Sequence, residues 1–267
     1  PEKRLKSSRL KGVEQMKVLR FTLSGKQAFF KKPEVNKYYY FTYGHIHRVA
    51  LLGLLGTVMG YSGYAHIVQK KKTEVPEYPE FYEQLKELKM AVIPCCEKGS
   101  FPQKIIVFNN SVGHASEEGN LIVRQQWLEN PIWDIYIFMD CEEADKIAEM
   151  ILERKCVYIP YLGKNDHLAD IYNAEIVELE NAQCESTVLS CLYLKKDGKF
   201  EIADEDDEDD YEDDEEIPEF KYEEKLPVGI DSYMNLYEYE TFCYTNMKVI
   251  LKKNKIFKTE NRMLVFY

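Results

Sequence analysis

The stretch Lys17 to Ser24, KVLRFTLS, sets Val18, Arg20 and Thr22 on one side and Leu19, Phe21 and Leu23 on the other. A period of two marks a strand with one face buried, so the chain must build a sheet around it. Gly25 to His47 follows with proline, asparagine and lysines and no sustained period, which predicts a long loop. Arg48 to about Tyr61 then predicts a helix whose glycines permit close packing. Gly53-Leu-Leu-Gly56 shares the letters of a nucleic-acid-clamping GXXG loop, but its apolar interior assigns it to the core.

Further on, Glu80 to Lys89 reads as a short amphipathic helix. Met90 to Pro94 and Lys104 to Asn109 read as strands around the turn-rich CCEKGSFPQ, which predicts a projecting hairpin. Ile132 to Met139 is a strand pattern, and Glu142 to Glu153 a helix with Ala144, Ile147, Ala148 and Ile151 at helical spacing. Cys156 to Ile159 reads as another strand. The resulting order β, α, β, β, α, β predicts an α+β fold with a ferredoxin-like N-terminal domain, an architecture shared with RNA-recognition (RRM) modules. Beyond Gly163 strand patterns dominate, at Ala174 to Leu179, Ser186 to Leu194, Lys248 to Leu251 and Arg262 to Tyr267, and predict a smaller β-rich C-terminal domain.

Charge is distributed unevenly. The net charge is −11, yet Glu201 to Glu219 holds fourteen Asp or Glu and no Lys or Arg, so the rest of the chain carries +3. That acidic run is expected to be a self-repelling disordered loop. Residues 1–15 are basic and lack the apolar core of a secretory signal, and read as a leader or appended extension. Lys17 to Arg48 has seven Lys or Arg against Glu34, and Thr245 to Tyr267 has six against Glu260, so two basic surfaces lie under the average.

Seven scattered cysteines without C-x-x-C spacing suggest neither a disulfide framework nor a zinc knuckle, and fit a reducing cytoplasm. The apolar run Val49 to Met59 is far shorter than the ~20 residues needed to cross a bilayer, so no membrane partner is expected. No phosphate-binding loop or nucleophile elbow is present, and His45-x-His47 has no companion ligands at recognised spacing, so neither a cofactor nor a metal is expected. The two histidines read instead as surface or RNA-facing groups.

Lys26, Lys31, Lys32, Lys37 and Arg48 are interleaved with Phe29, Phe30 and Tyr38 to Tyr40. This mixture can neutralise phosphates and stack bases, although lysines over core aromatics would give the same letters. Tyr161 to His167, YLGKNDH, offers Gly163 for close backbone approach to a phosphate and Lys164 for its charge, and equally suits a plain connecting turn.

The segments KVLRFTLSGKQAFFKKPEVNKYYYFTY, RVALLGLLGTVMGY, LENPIWDIYIF, YIPYLGKNDHLADI and LPVGIDSYMNLYEYETFCYT, in this order, resemble CRISPR-associated (Cas) family five, the RAMP-type subunit of Cascade, and most of all its type I-B branch. The resemblance spans Met16 to Tyr267. It implies an RRM-like domain over 16–162 with a protruding β-hairpin thumb at about 90–126, and a smaller β domain over 163–267. It also implies binding of the 5′ handle of CRISPR RNA (crRNA), contacts with the Cascade backbone and large subunits, and only indirect contact with target DNA. The sequence departs from the family pattern at YGHIHR, where a proline-containing approach is expected, and in the acidic insertion.

The expected role is therefore a non-catalytic RNA-binding subunit in antiviral defence. Its grip would comprise Lys26, Lys31, Lys32, Asn36, Tyr40, Tyr43, His45, His47 and Arg48 of the first loop. His114 and Arg124 of the thumb and the Gly163, Lys164, Asn165 turn would complete it. Two alternatives stand beside it. A metal-independent endoribonuclease processing precursor crRNA could draw a base, an acid and a cation from Tyr40, Tyr43, His45, His47, Lys31 and His114. A protein-only scaffold could use the basic loop to dock an acidic partner.

Overall fold

The computed structural model describes residues 16–34, 39–64, 78–110, 121–182, 184, 186–200, 218–252 and 255–267. Its elements run β1 (Met16–Ser24), β2 (Gln27–Ala28), α1 (Arg48–Met59), α2 (Glu80–Leu85), β3 (Met90–Pro94), β4 (Gln103–Asn110), β5 (Leu121–Glu129), β6 (Ile132–Phe138) and α3 (Glu142–Leu152). They continue with β7 (Asp170–Ala182), β8 (Ser186–Val188), β9 (Tyr193–Leu194), β10 (Gly198–Phe200), β11 (Lys221–Ile230), β12 (Tyr237–Thr245), β13 (Lys248–Leu251), β14 (Ile256–Thr259) and β15 (Arg262–Leu264). The fold is mixed α/β and mostly sheet. Among the described residues no helix is long and apolar enough to cross a membrane.

The alternation of β1 is realised as a two-faced strand at the centre of a six-stranded antiparallel sheet, in the order β15-β14-β7-β1-β6-β3. Leu19, Phe21 and Leu23, with Trp133, Ile135 and Ile137 of β6 and Met90 and Val92 of β3, share one core with α1 and α3. Val18, Ala91, Ile93 and Tyr136 point the other way, into a second core with Leu189, Cys191, Tyr193, Cys243, Val249 and Leu264. Thr22 and Arg20 also lie on that second face, around the nearly buried Asp134. Its carboxylate accepts the Thr22 hydroxyl at 2.9 Å and lies 3.7 Å from Arg20 and 3.6 Å from Arg262. The sheet draws β7, β14 and β15 from beyond residue 162, so residues on both sides of that expected boundary share it.

Helix α1 is apolar on nearly every side because it is covered on nearly every side, by the sheet, α2, α3 and β11. Each of its buried leucines contributes on the order of 1.5–3 kcal/mol. Gly56 lets α2 approach: a Cβ there would meet Phe81 at 2.5 Å. Gly60, at φ +81°, closes the helix by donating to the carbonyls of Gly56 and Thr57, the left-handed cap that glycine adopts without penalty.

Three smaller sheets surround this frame: β2-β5-β4, β10-β13-β8 and β11-β12-β9. The long hairpin is β4–β5, paired from Gln103↔Leu128 to Asn110↔Leu121. The expected hairpin of Met90 to Pro94 with Lys104 to Asn109 is corrected accordingly. All five residues of β3 are buried, which suits a strand between two cores, whereas β4 alternates partly buried and exposed residues.

Cys156 to Ile159 is not a strand. Val157 and Tyr158 donate backbone N–H groups to Val58 and Thr57 at 2.9 and 3.2 Å, satisfying carbonyls at the end of α1. The fourth strand beside β1 is instead the longer β7. The predicted strand Ser186 to Leu194 divides into β8 and β9, which join different sheets. Residues 1–15 and 201–217 of the acidic run lie outside the described residues.

Candidate nucleic-acid interface

Three segments remote in sequence meet along one edge of the β4–β5 hairpin. The Tyr40 N–H donates to the Arg124 carbonyl, and the Gln126 N–H donates to the Tyr40 carbonyl, both at 2.9 Å, which lays residues 39–42 alongside β5. Lys31 pairs with Thr42 outside them, and the Lys32 N–H donates to the Phe41 carbonyl at 2.9 Å. The 161–168 turn closes the group: Phe29 N–H donates to Leu162 at 3.1 Å, and Gly163 (φ +82°) lies so close that a Cβ would fall 2.0 Å from the Phe29 carbonyl oxygen.

Because side chains alternate along a strand, the two faces of this edge differ. On one face Lys31 lies 4.2 Å from the centroid of the Tyr40 ring. On that same face Lys164 sits 4.9 Å from the Trp127 ring and 5.5 Å from the Phe108 ring, donating to Gln125 Oε1 at 3.4 Å. Asp166 is its carboxylate neighbour, at 3.4 Å. On the other face Arg124 lies over the Tyr39 ring at 5.8 Å, and Tyr39 stacks on Phe41 with 24° between ring planes. Lys32 is held on that face by Glu224, at 2.8 Å.

Lys26 and Lys31 are exposed, and Tyr40, Arg124 and Lys164 partly so. Gly163 and Asn165 are exposed on the turn. Asn36 and His114 lie outside the described residues.

Four expected grip residues are corrected. His45 is fully buried: its Nε2 contacts the Gly99 carbonyl at 2.9 Å, and the Trp133 indole N–H lies 3.3 Å from its Nδ1. His47 is buried as the N-cap of α1, its Nδ1 accepting from the Ala50 N–H at 3.2 Å. Burial pushes the His45 pKa down to about 4 and that of His47 to about 3, because desolvation penalises imidazolium. Tyr43 is buried with its hydroxyl 3.3 Å from that of Tyr239, and burial raises its pKa. Arg48 donates to the carbonyls of Leu88 at 2.9 Å, Val228 at 3.3 Å and Lys86, so its guanidinium ties α1 to neighbouring segments. The local reading failed because polarity in YGHIHR signals exposure only until distant segments of the chain supply the partners.

Sequence reasoning named Tyr39 among the stacking aromatics but missed Gln125, Trp127, Phe108 and Phe41, which build the two faces with it. The alternation in LIVRQQWLE (Leu121–Glu129) was the available signal. Among the described residues no group of three or more His, Cys, Asp or Glu could hold a metal ion.

No protein-family model matches this chain, and no curated protein matches it. Among solved structures it is similar to a chain of a CRISPR RNA-guided surveillance complex, at 13% identity and TM-score 0.47, over 88% of this chain and 91% of that one. A CRISPR protein from Archaeoglobus fulgidus is similar at 9% identity and TM-score 0.46, over 94% and 98%. A chain of the type III-B Cmr-beta complex bound to cognate target RNA and AMPPnP is similar at 14% identity and TM-score 0.39, over 88% and 86%.

Proposed function

We propose that this chain is a non-catalytic RNA-binding subunit of a type I-B Cascade-like complex in CRISPR defence, holding the 5′ handle of crRNA and touching the backbone and large subunits. The observation that carries the reading is convergence. The basic aromatic loop, the hairpin and the YLGKNDH turn are separate in sequence and meet at one edge, with Lys31 and Lys164 poised over aromatic rings. Such an edge combines phosphate neutralisation with stacking surface. The strand order β7-β1-β6-β3, with helices on one face, supports a ferredoxin-like core, and β4–β5 is the candidate thumb. On this reading the protein works in the cytoplasm and meets target DNA only through its complex.

The non-catalytic role is favoured over RNA cleavage by the burial of His45 and His47, the two histidines nearest the basic loop. A general base must reach the proton it removes. The test is to sequence RNA that co-purifies with the protein and to incubate the protein with repeat RNA in EDTA. Bound RNAs sharing one 5′ segment, with the added repeat RNA left intact, are expected. One discrete cut ending in a 2′,3′-cyclic phosphate would establish the endoribonuclease instead. Absence of bound RNA together with salt-insensitive assembly would favour the protein-only scaffold.

A further inference from the structure

Behind the Tyr39–Phe41 stack lies a groove of about 660 Å³, walled by the loop before α1, the base of the β4–β5 hairpin and β11. We propose that this groove receives one unstacked nucleobase, stacked on Phe41 and contacted at its edge by the amide of Gln103. The inference rests on the RNA-binding reading and deepens it.

The charges of the lining decide against the other occupants. Lys32 is bound to Glu224 Oε1 at 2.8 Å, and Glu224 Oε2 accepts the Gly44 N–H at 2.9 Å and the Tyr222 hydroxyl. Glu223 is bridged by Lys195 and by Lys221, the latter at 3.0 Å. A phosphate entering here finds its cation already paired and a third carboxylate, Glu34, in the lining, and an arginine or lysine from a protein finds Glu223 and Glu224 already neutralised. A neutral, flat, polar group meets neither obstacle, and the volume lies within the ~300–1,000 Å³ of ordinary ligand sites.

The walls supply what such a group needs. Phe41 is 39% exposed and backed by Tyr39 in near-parallel stacking, so its outer surface continues a ring ladder. Gln126 is fixed at both ends: its Oε1 accepts the Thr42 N–H at 3.4 Å, and its Nε2 donates to Gln103 Oε1 at 2.7 Å. That bond holds the Gln103 side chain in place, and the amide nitrogen of Gln103 is the end that Gln126 does not engage. Donors held in this way can read base edges. The phosphates would remain with Lys31 and Lys164 on the opposite face and with Arg124 over Tyr39, so a strand crossing the edge at residues 31–32 would turn one base into the groove.

The test uses the full chain and fluorescence anisotropy with a single-stranded RNA of about eight nucleotides, together with its set of single abasic replacements. The wild type is expected to show one position where base removal lowers affinity ~5- to 150-fold, the range for a stacked base. Phe41→Ala should lose a similar factor and abolish the penalty at that position. Gln103→Ala should reduce discrimination among the four bases there, while Lys31→Ala should weaken every RNA in the set alike. Wild-type affinity in Phe41→Ala, or an abasic penalty that survives in it, overturns the base site; if Lys31→Ala still weakens binding, RNA binding itself stands. No binding of any RNA by the wild type overturns both.

Discussion

The indole N–H of Trp133 donates to Nδ1 of His45 across 3.3 Å, joining β6 to the loop that precedes α1. Since Nδ1 accepts, the imidazole proton sits on Nε2 and is donated to the Gly99 carbonyl at 2.9 Å. A neutral His45 therefore fastens the root of the basic loop to the sheet and to the β3–β4 connection. Two residues further on, neutral His47 starts α1 by capping the Ala50 N–H.

Stability should therefore fall in mild acid. Both folded-state values, about 4 and about 3, lie below the ordinary 6.5. The unfolded chain thus takes up protons first as pH drops. The stabilisation is complete above about pH 6.5 and is lost as pH falls toward 4, by at most about 1.4 kcal/mol per pH unit for each histidine. Urea denaturation between pH 7.5 and 4.5 checks this, with a His45→Gln variant expected to flatten the profile. A profile identical in both proteins would contradict the assignment.

Arg48 should prove a fold residue. Arg48→Ala leaves the carbonyls of Leu88, Val228 and Lys86 without their donor, and should destabilise by about 3 kcal/mol, as loss of charge-assisted bonds does. Arg48→Lys should recover only part of this, because an ammonium cannot reproduce the planar fork. Denaturant midpoints measure both effects. At temperatures where the variants remain folded, the salt dependence of RNA binding should equal that of the wild type.

Gly163 should tolerate no side chain. Its φ of +82° and the 2.0 Å approach of a Cβ to the Phe29 carbonyl oxygen make Gly163→Ala destabilising by about 1–3 kcal/mol from backbone strain alone, and the backbone clash adds to this. The neighbouring exposed Asn165→Ala should leave the thermal midpoint within a degree or two of wild type. Equal midpoints for Gly163→Ala and the wild type would contradict the packing of the turn against the loop.

What could be read from sequence was set by local period. β1 and α3 showed the periods of their elements and α1 and β6 nearly continuous apolar runs, and each was legible within a few positions. Pairing was not legible: the period of β3 is the same whether its neighbour is β4 or β6. Cys156 to Ile159 misled because apolar letters were read as burial, whereas Tyr158 and Ile159 are 61% and 68% exposed. β11 was hidden by its charges, since Lys221, Glu223 and Lys225 alternate with Tyr222 and Glu224 on a strand that lies over the loop. In the candidate site the exposure of Lys26 and Lys31 could be anticipated. The burial of His45, His47 and Tyr43 and the half-burial of Arg48 could not, because they depend on Trp133, Gly99, Tyr239, Leu88 and Val228, all remote in sequence.

The central claim is that Lys31, Arg124 and Lys164 present an RNA-holding edge. Its most direct test is a salt titration of handle-RNA affinity for the wild type and the Lys31→Ala, Arg124→Ala, Lys164→Ala triple variant. Each lost phosphate contact should lower the slope of log affinity against log salt by about 0.7. The triple variant is therefore expected to bind more weakly at low salt with a slope shallower by about 2. Equal affinity and equal slope in the two proteins would contradict the account.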